Sequence, residues 1–354
     1  MLIELSFVGF FSFSSLFLMR KVAKTIGLVD KPNERKLHDG AIPLVGGISI
    51  FLSIAQYLTA KPDIIPNSEL FLFCLTVLIF VGVLDDKFDI SFKIRLTVQA
   101  LLSICMMVFA NLQLENIGNV FGTGELHFGL LSPIVTTFAV IGAINAFNMV
   151  DGIDGLLGGL AIVTFASIAI LLNIESKHGL AYLCVIFIAA IVPYICMNLG
   201  IFGRKRKVFM GDAGSMVIGF TVIWLLLGAS QEHSTNSIRP VTALWLIAIP
   251  LMDMAAIMIR RVKRGHSPFK PDREHLHHIF QRLGLSSRQT LFVICSFASL
   301  LAGFGIYGEL SVIRESTMFI LFMICFICYA MAMNYVWRIT SWIRRSRGLP
   351  EKAY

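Results

Sequence analysis

The chain has 354 residues, 56% of them hydrophobic and only 15% charged, with a mean hydropathy of +0.77 and a formal net charge of +8. This composition excludes a soluble globular enzyme and gives an all-α polytopic membrane protein, because each span needs roughly 20 apolar residues to cross about 30 Å of hydrocarbon. No soluble domain and no nucleic-acid partner are expected, and the cysteines all lie inside apolar runs, which excludes a disulfide framework.

Hydropathy predicts about eleven spans, near 2–20, 43–60, 69–84, 96–111, 133–150, 156–173, 179–199, 214–230, 240–259, 290–307 and 316–337. The first lacks a basic flank before its apolar stretch and a small-residue cleavage site, so it reads as a retained span. The third ends in Asp85-Asp86, followed by Lys87. The fifth ends in Asn145-Ala-Phe-Asn148-Met-Val-Asp151-Gly-Ile-Asp154-Gly155. After the seventh come the basic stretch 204–207 and the motif Phe209-Met-Gly211-Asp212-Ala-Gly214-Ser215. The ninth carries Asp253 and ends at Arg260 and Arg261, and it leads into a loop with three histidines, His275, His277 and His278. One membrane-embedded catalytic domain is expected over 1–337, with a basic tail over 338–354.

Of the 30 Lys and Arg residues, 26 fall in the segments 20–42, 85–95, 151–155, 200–213, 260–289 and 338–354. Positively charged loops are retained in the cytoplasm, so these loops are predicted to be cytoplasmic. An odd number of spans then leaves the N terminus outside and the C terminus cytoplasmic. All the acidic motifs fall on the cytoplasmic face.

A carboxylate at a bilayer interface is costly unless it is hydrated, paired or metal-bound. Oxygen donors suit Mg²⁺ or Mn²⁺, and Mg²⁺ is usually held by one or two carboxylates together with substrate phosphates. Asp85, Asp86 and Asp212 are therefore candidate metal residues, and a nucleotide or pyrophosphate is the expected substrate. The nearby cations Lys87, Lys93, Arg95, the run Arg204-Lys205-Arg206-Lys207, Arg260, Arg261, Lys263 and Arg264 could neutralise a polyphosphate, although basic loops also follow from topology alone. Glycines beside the acids permit close approach of backbone N–H groups to phosphate, or simply close helix packing. If the histidine stretch is helical, His275 and His278 share a face; structural zinc is disfavoured because no cysteine lies near, and a role toward phosphate or in acid–base chemistry is expected.

Taken in order, Gly27-Leu-Val-Asp-Lys-Pro-Asn33, Ile42-Pro-Leu-Val-Gly-Gly47, the three acidic motifs and His275-Leu-His-His278 resemble those of the bacterial polyprenyl-phosphate N-acetylhexosamine-1-phosphate transferases over nearly the whole chain. Lys87 stands where the related peptidoglycan translocases have a third aspartate, and His275-Leu-His-His278 replaces their triple histidine. Both differences resemble the GlcNAc branch. The resemblance implies a metal-dependent enzyme that transfers GlcNAc-1-phosphate from UDP-GlcNAc to undecaprenyl phosphate, releasing UMP and starting O-antigen and enterobacterial common antigen synthesis. It implies that Asp85 and Asp86 lie near the lipid phosphate and metal, and that Asp212 binds the metal. Asn148, Asp151 and Asp154 are implied to line the nucleotide pocket, and His275, His277 and His278 to face the diphosphate. A homodimer is compatible with the resemblance. The competing class, a cation-coupled transporter, expects mid-span acids and two related halves; these acids sit at span ends and differ from one another.

Overall fold

A computed structural model of the chain describes residues 1–31, 40–231, 237–268 and 275–335. The expected basic tail and residues 269–274 of the histidine loop lie outside them. The described residues form thirteen α-helices: α1 (Leu2–Ile26), α2 (Gly46–Ala60), α3 (Ser68–Phe88), α4 (Phe92–Ala110), α5 (Ser132–Met149), α6 (Leu156–Ile174), α7 (His178–Asn198), α8 (Gly211–Ser230), α9 (Pro240–Leu246), α10 (Ala248–Lys263), α11 (Leu276–Arg282), α12 (Ser287–Leu310) and α13 (Glu315–Asn334). Nine of these are long and apolar enough to cross a membrane, or ten spans if the bent pair α9–α10 counts as one; α2, with 15 residues, is shorter. The protein is thus a multi-pass helical membrane protein.

Helix ends follow local chemistry. Ser286 and Gln289 form a reciprocal capping box that starts α12. Gly27 and Asn111 close α1 and α4 in the left-handed conformation. Some hydroxyls inside the helices return to their own helix: Ser53 donates to the carbonyl of Ser49, Thr221 to Val217 and Ser230 to Leu226, so these three present no unmet polar group to hydrocarbon.

The expected continuous span over 240–259 is broken. α9 and α10 meet at an angle of 83° across Ile247. Proline at 250 cannot donate to the carbonyl of Leu246, and its ring would clash there; restarting the helix at Ala248 puts Pro250 in a first turn, where no such bond is required.

The central helix is α8, of which 94% of the apolar window is buried, against 22% for α1, α4 and α13, so the latter form the lipid-facing wall. Phe10 and Phe109 on α1 and α4 are exposed, as are Phe80, Phe138 and Leu300 on the outward sides of α3, α5 and α12. α8 packs against α2, α3, α5 and α6. Its closest approaches need glycine. A Cβ on Gly47 would lie 2.2 Å from the Gly214 backbone, and one on Gly82 2.2 Å from the Ala213 Cα. Away from the acidic motifs, Gln231 at the far end of α8 receives the N–H groups of Glu115 and Asn116, and Arg239 pairs with Glu309 at 3.1 Å, which ties the long 111–131 connection and α12 to that end.

Candidate active site

The C-terminal ends of α3 and α5 and the N-terminal end of α8 bring the three acidic motifs together around the first turn of α8. Gly211 has φ +76°, a conformation that side chains avoid, and a Cβ there would also meet the Asp86 carboxylate. The Asp86 carboxylate accepts the backbone N–H of Asp212 at 2.8 Å and that of Ala213 at 3.4 Å, so it caps α8 from the neighbouring helix. Segment 42–47 holds the other side of this turn. Gly46 and Gly47 donate to the carbonyls of Phe209 and Met210, and Phe209 donates to the carbonyl of Pro43.

Asp85 lies buried beside this cap. One guanidinium nitrogen of Arg95, in the first turn of α4, reaches Asp85 at 2.5 Å and Asp212 at 3.4 Å. Asn148 at the end of α5 donates from its amide to Asp212 at 2.7 Å and to the Ser215 hydroxyl at 2.8 Å. Asp212 is therefore oriented from two sides while its carboxylate stays partly open, 38% exposed. The second and third motifs are also tied together. Lys207 reaches Asp154 at 2.6 Å, and buried Asn198 accepts from the N–H of Gly155 and donates to the carbonyl of Val208.

Asp151 makes no side-chain hydrogen bond among the described residues. Its own surface is exposed, but protein surrounds the recess in which it sits; this desolvation, with the charges of Asp212 and Asp154, pushes its carboxyl up to about 7.

The histidines form a second group. His275 precedes α11 in an extended conformation, so the expected pairing of His275 with His278 on one helical face does not occur. It is the rings of His275 and His277 that lie parallel, 10° apart with centroids 5.6 Å apart; His278 lies against His277. His277 is buried with its Nε2 against Gly152, where a Cβ would come within 2.0 Å. This contact seats the histidine loop on the second acidic motif. Burial, then the neighbouring His278 and His275, hold the His277 ring well below the ordinary pKa of 6.5. The imidazole of His275 lies 2.8 Å from Asp253 of α10.

Three of the expected phosphate-facing cations, Arg260, Arg261 and Lys87, lie as follows. Arg260 and Arg261 are buried, and they donate to the carbonyls of Met333 and Pro268, binding α13 and the start of the histidine loop to α10. Lys87 is exposed and lies over the ring of its neighbour Phe88. The cation at the centre is Arg95, whose one sequence signal was its position at the same predicted surface as Asp85. Asp253 and Lys207 had no local signal of their partners, which lie 22 and 53 residues away.

All the carboxylate donors in the first cluster are oxygens, the set that suits Mg²⁺ or Mn²⁺. Among the described residues no three His, Cys, Asp or Glu side chains converge into an enclosed metal site. An ion held by Asp212 and Asp85 would complete its coordination with phosphate oxygens and water, as Mg²⁺ commonly does.

Residues 69–230, which include all three acidic motifs, match the model of glycosyl transferase family 4. The chain is 52% identical to undecaprenyl-phosphate alpha-N-acetylglucosaminyl 1-phosphate transferase of Escherichia coli O157:H7, over 96% of this chain and 93% of that protein. It is 53% identical to the protein of the same name from Yersinia pestis, over 99% and 96% of the two chains. The protein of that name from Haemophilus influenzae is 48% identical over 98% and 97%.

Proposed function

The chain belongs to glycosyl transferase family 4, and on that premise we propose how its cluster of charges performs the transfer named in its relatives. The protein is an enzyme that transfers GlcNAc-1-phosphate from UDP-GlcNAc to undecaprenyl phosphate. The products are undecaprenyl-pyrophosphoryl-GlcNAc and UMP, and the step begins the synthesis of O antigen and enterobacterial common antigen. The reaction takes place at the cytoplasmic face of the inner membrane, with eleven passes when the short α2 and the bent pair α9–α10 are each counted as one, the N terminus in the periplasm and the C terminus in the cytoplasm.

The observation that carries this reading is the convergence of Asp85, Arg95, Asn148 and Asp212 at the inner end of the bundle. Arg95 comes from α4, a helix that mostly faces lipid, so an acceptor whose chain stays in the bilayer can bring its phosphate to this guanidinium. The water-facing approach lies over Asp151 and Asp154, where the nucleotide sugar is placed.

A phosphate monoester has a second pKa of about 6, so the lipid phosphate is largely dianionic at neutral pH and requires little help from a base. Its oxygen attacks the β-phosphorus of the donor, the bond to the bridging oxygen breaks, and UMP leaves. The sugar C1–O bond stays intact, so the α configuration is retained. The difficulty is bringing two anions together. Arg95 and the histidine loop offset that repulsion, and Asn148 keeps Asp212 in register. A bound Mg²⁺ or Mn²⁺, held by Asp212 with Asp85, would spread charge off the pyrophosphate. Asp86 serves mainly by fixing the first turn of α8 on which Asp212 sits.

Purified protein mixed with undecaprenyl phosphate and radiolabelled UDP-GlcNAc, with and without Mg²⁺ or Mn²⁺, tests this. Metal-dependent label in the organic phase supports the assignment. Label from a different UDP-HexNAc but not from UDP-GlcNAc would refute the donor, and no label from any donor would refute the enzyme.

A further inference from the structure

The histidine loop touches a buried group that the reaction as described does not use. Asp253 lies within α10, 1% exposed, and three separate donors surround its carboxylate. The backbone N–H of Leu276 reaches one oxygen at 3.2 Å, and the hydroxyl of Tyr329 reaches the same oxygen at 2.6 Å. The Nδ1 atom of His275 lies 2.8 Å from the other. Asp253 and Tyr329 come from different helices, α10 and α13, and both converge on the residue at which the loop enters α11.

An ionised carboxylate can only accept hydrogen bonds. With Tyr329 and Leu276 both donating to it, the contact with His275 requires the hydrogen to sit on Nδ1. That assigns the tautomer: in the neutral ring the lone pair is on Nε2, and in the charged ring Nε2 carries the second proton. A carboxylate so placed also fixes the rotation of the ring. The remaining titratable and charged groups near this network are His277, parallel to the His275 ring, His278 beyond it, and Arg260, which lies near Tyr329 and donates to the carbonyl of Met333.

We propose that Asp253 and Tyr329 are positioning residues for the transferase reaction, holding His275 in one tautomer and orientation so that its Nε2 serves the diphosphate of the donor. This rests on the functional reading above. It also gives the last helix a role: α13 contributes through Tyr329 to the geometry of a site formed by other elements. Because the loop sits against Gly152 through His277, fixing its entry at His275 sets its position relative to Asp151 and Asp154.

The test is a double-mutant cycle on the full-length protein in detergent, with transfer of label to lipid as the readout. Asp253→Asn is expected to lower kcat about 10- to 100-fold, the usual effect of removing a group that orients a functional histidine, with KM for UDP-GlcNAc changed less than about threefold. His275→Gln is expected to lower kcat at least as much. The double variant should be no slower than His275→Gln alone, because a residue that acts only through His275 has nothing left to orient. Tyr329→Phe, which leaves the Asp253 carboxylate in place, is expected to lower kcat less than Asp253→Asn does, again with KM little changed. If Asp253→Asn does not purify as monodisperse protein, Tyr329→Phe takes its place in the cycle. Additive losses in the cycle, or a loss that falls on KM rather than kcat, would overturn the inference while leaving the activity intact. A wild-type protein that transfers no label would instead overturn the functional reading itself.

Discussion

Gly82 offers a test of the active-site geometry that removes no polar atom. It lies one turn before Asp85 on α3 and packs against the first turn of α8. A Cβ at 82 would come within 2.2 Å of the Ala213 Cα, 2.5 Å of its nitrogen and 2.8 Å of its Cβ, whereas ordinary contact begins at 3.4 Å. The two obstructing backbone atoms cannot rotate away, so in Gly82→Ala the helices must part by about 1.2 Å. Overpacking of this kind costs about 1–3 kcal/mol. Asp212 follows Gly211 in the displaced turn, and a shift of about 1 Å between reacting groups lowers rates by about 100-fold. Gly303 in α12 is the matched control: nothing lies within 4 Å of its added Cβ, and alanine there should gain up to about 1 kcal/mol of helix propensity. Initial rates of lipid labelling, with melting temperatures in detergent, separate the two. Gly82→Ala should be slow and less stable, and Gly303→Ala unchanged or more stable. A Gly82→Ala protein with the wild-type rate and melting temperature would show that the α3–α8 contact does not set the site.

Asp212→Asn and Asp85→Asn should each lower kcat by about 100-fold or more while the protein inserts normally, since each removes charge from the arrangement around Arg95; near-wild-type turnover in either would contradict the charge clamp. Asp86→Ala should cost about 0.5–2 kcal/mol through loss of the α8 cap, read as a lower melting temperature. Chelation should abolish lipid labelling, and Mg²⁺ or Mn²⁺ should restore it; activity that survives exhaustive chelation would remove the metal from the mechanism. For His277, the folded-state pKa lies below the ordinary 6.5, so between the two values the unfolded chain binds more protons. Its contribution to stability is therefore present above about pH 6.5 and lost as the pH falls. Melting temperatures between pH 8 and pH 5 should show an acid-sensitive component that His277→Gln lacks.

Much of this arrangement was legible in the sequence because span boundaries and interfacial acids are local signals. Each of the eleven predicted segments contains helix, and Asp85, Asn148 and Asp212, read in the sequence as lying on one face, do meet. What was not legible depended on tertiary register. Two adjacent carboxylates look alike in sequence, yet Asp86 caps α8 and Asp85 faces Arg95. Arg260 and Arg261 read as surface cations because of their basic neighbours, but the structure turns them inward to backbone carbonyls. The break at Ile247 did have a local sign in Pro250, outweighed by the continuous hydropathy around it.

The most direct measurement of the central claim, attack at the donor β-phosphorus, uses UDP-GlcNAc carrying tritium in the sugar and ³²P in the β-phosphate. Transfer of GlcNAc-1-phosphate delivers both isotopes to the lipid in equal molar amounts and leaves UMP unlabelled. Tritium in the lipid with ³²P remaining in released UDP would mean glycosyl transfer through C1, and would contradict the account.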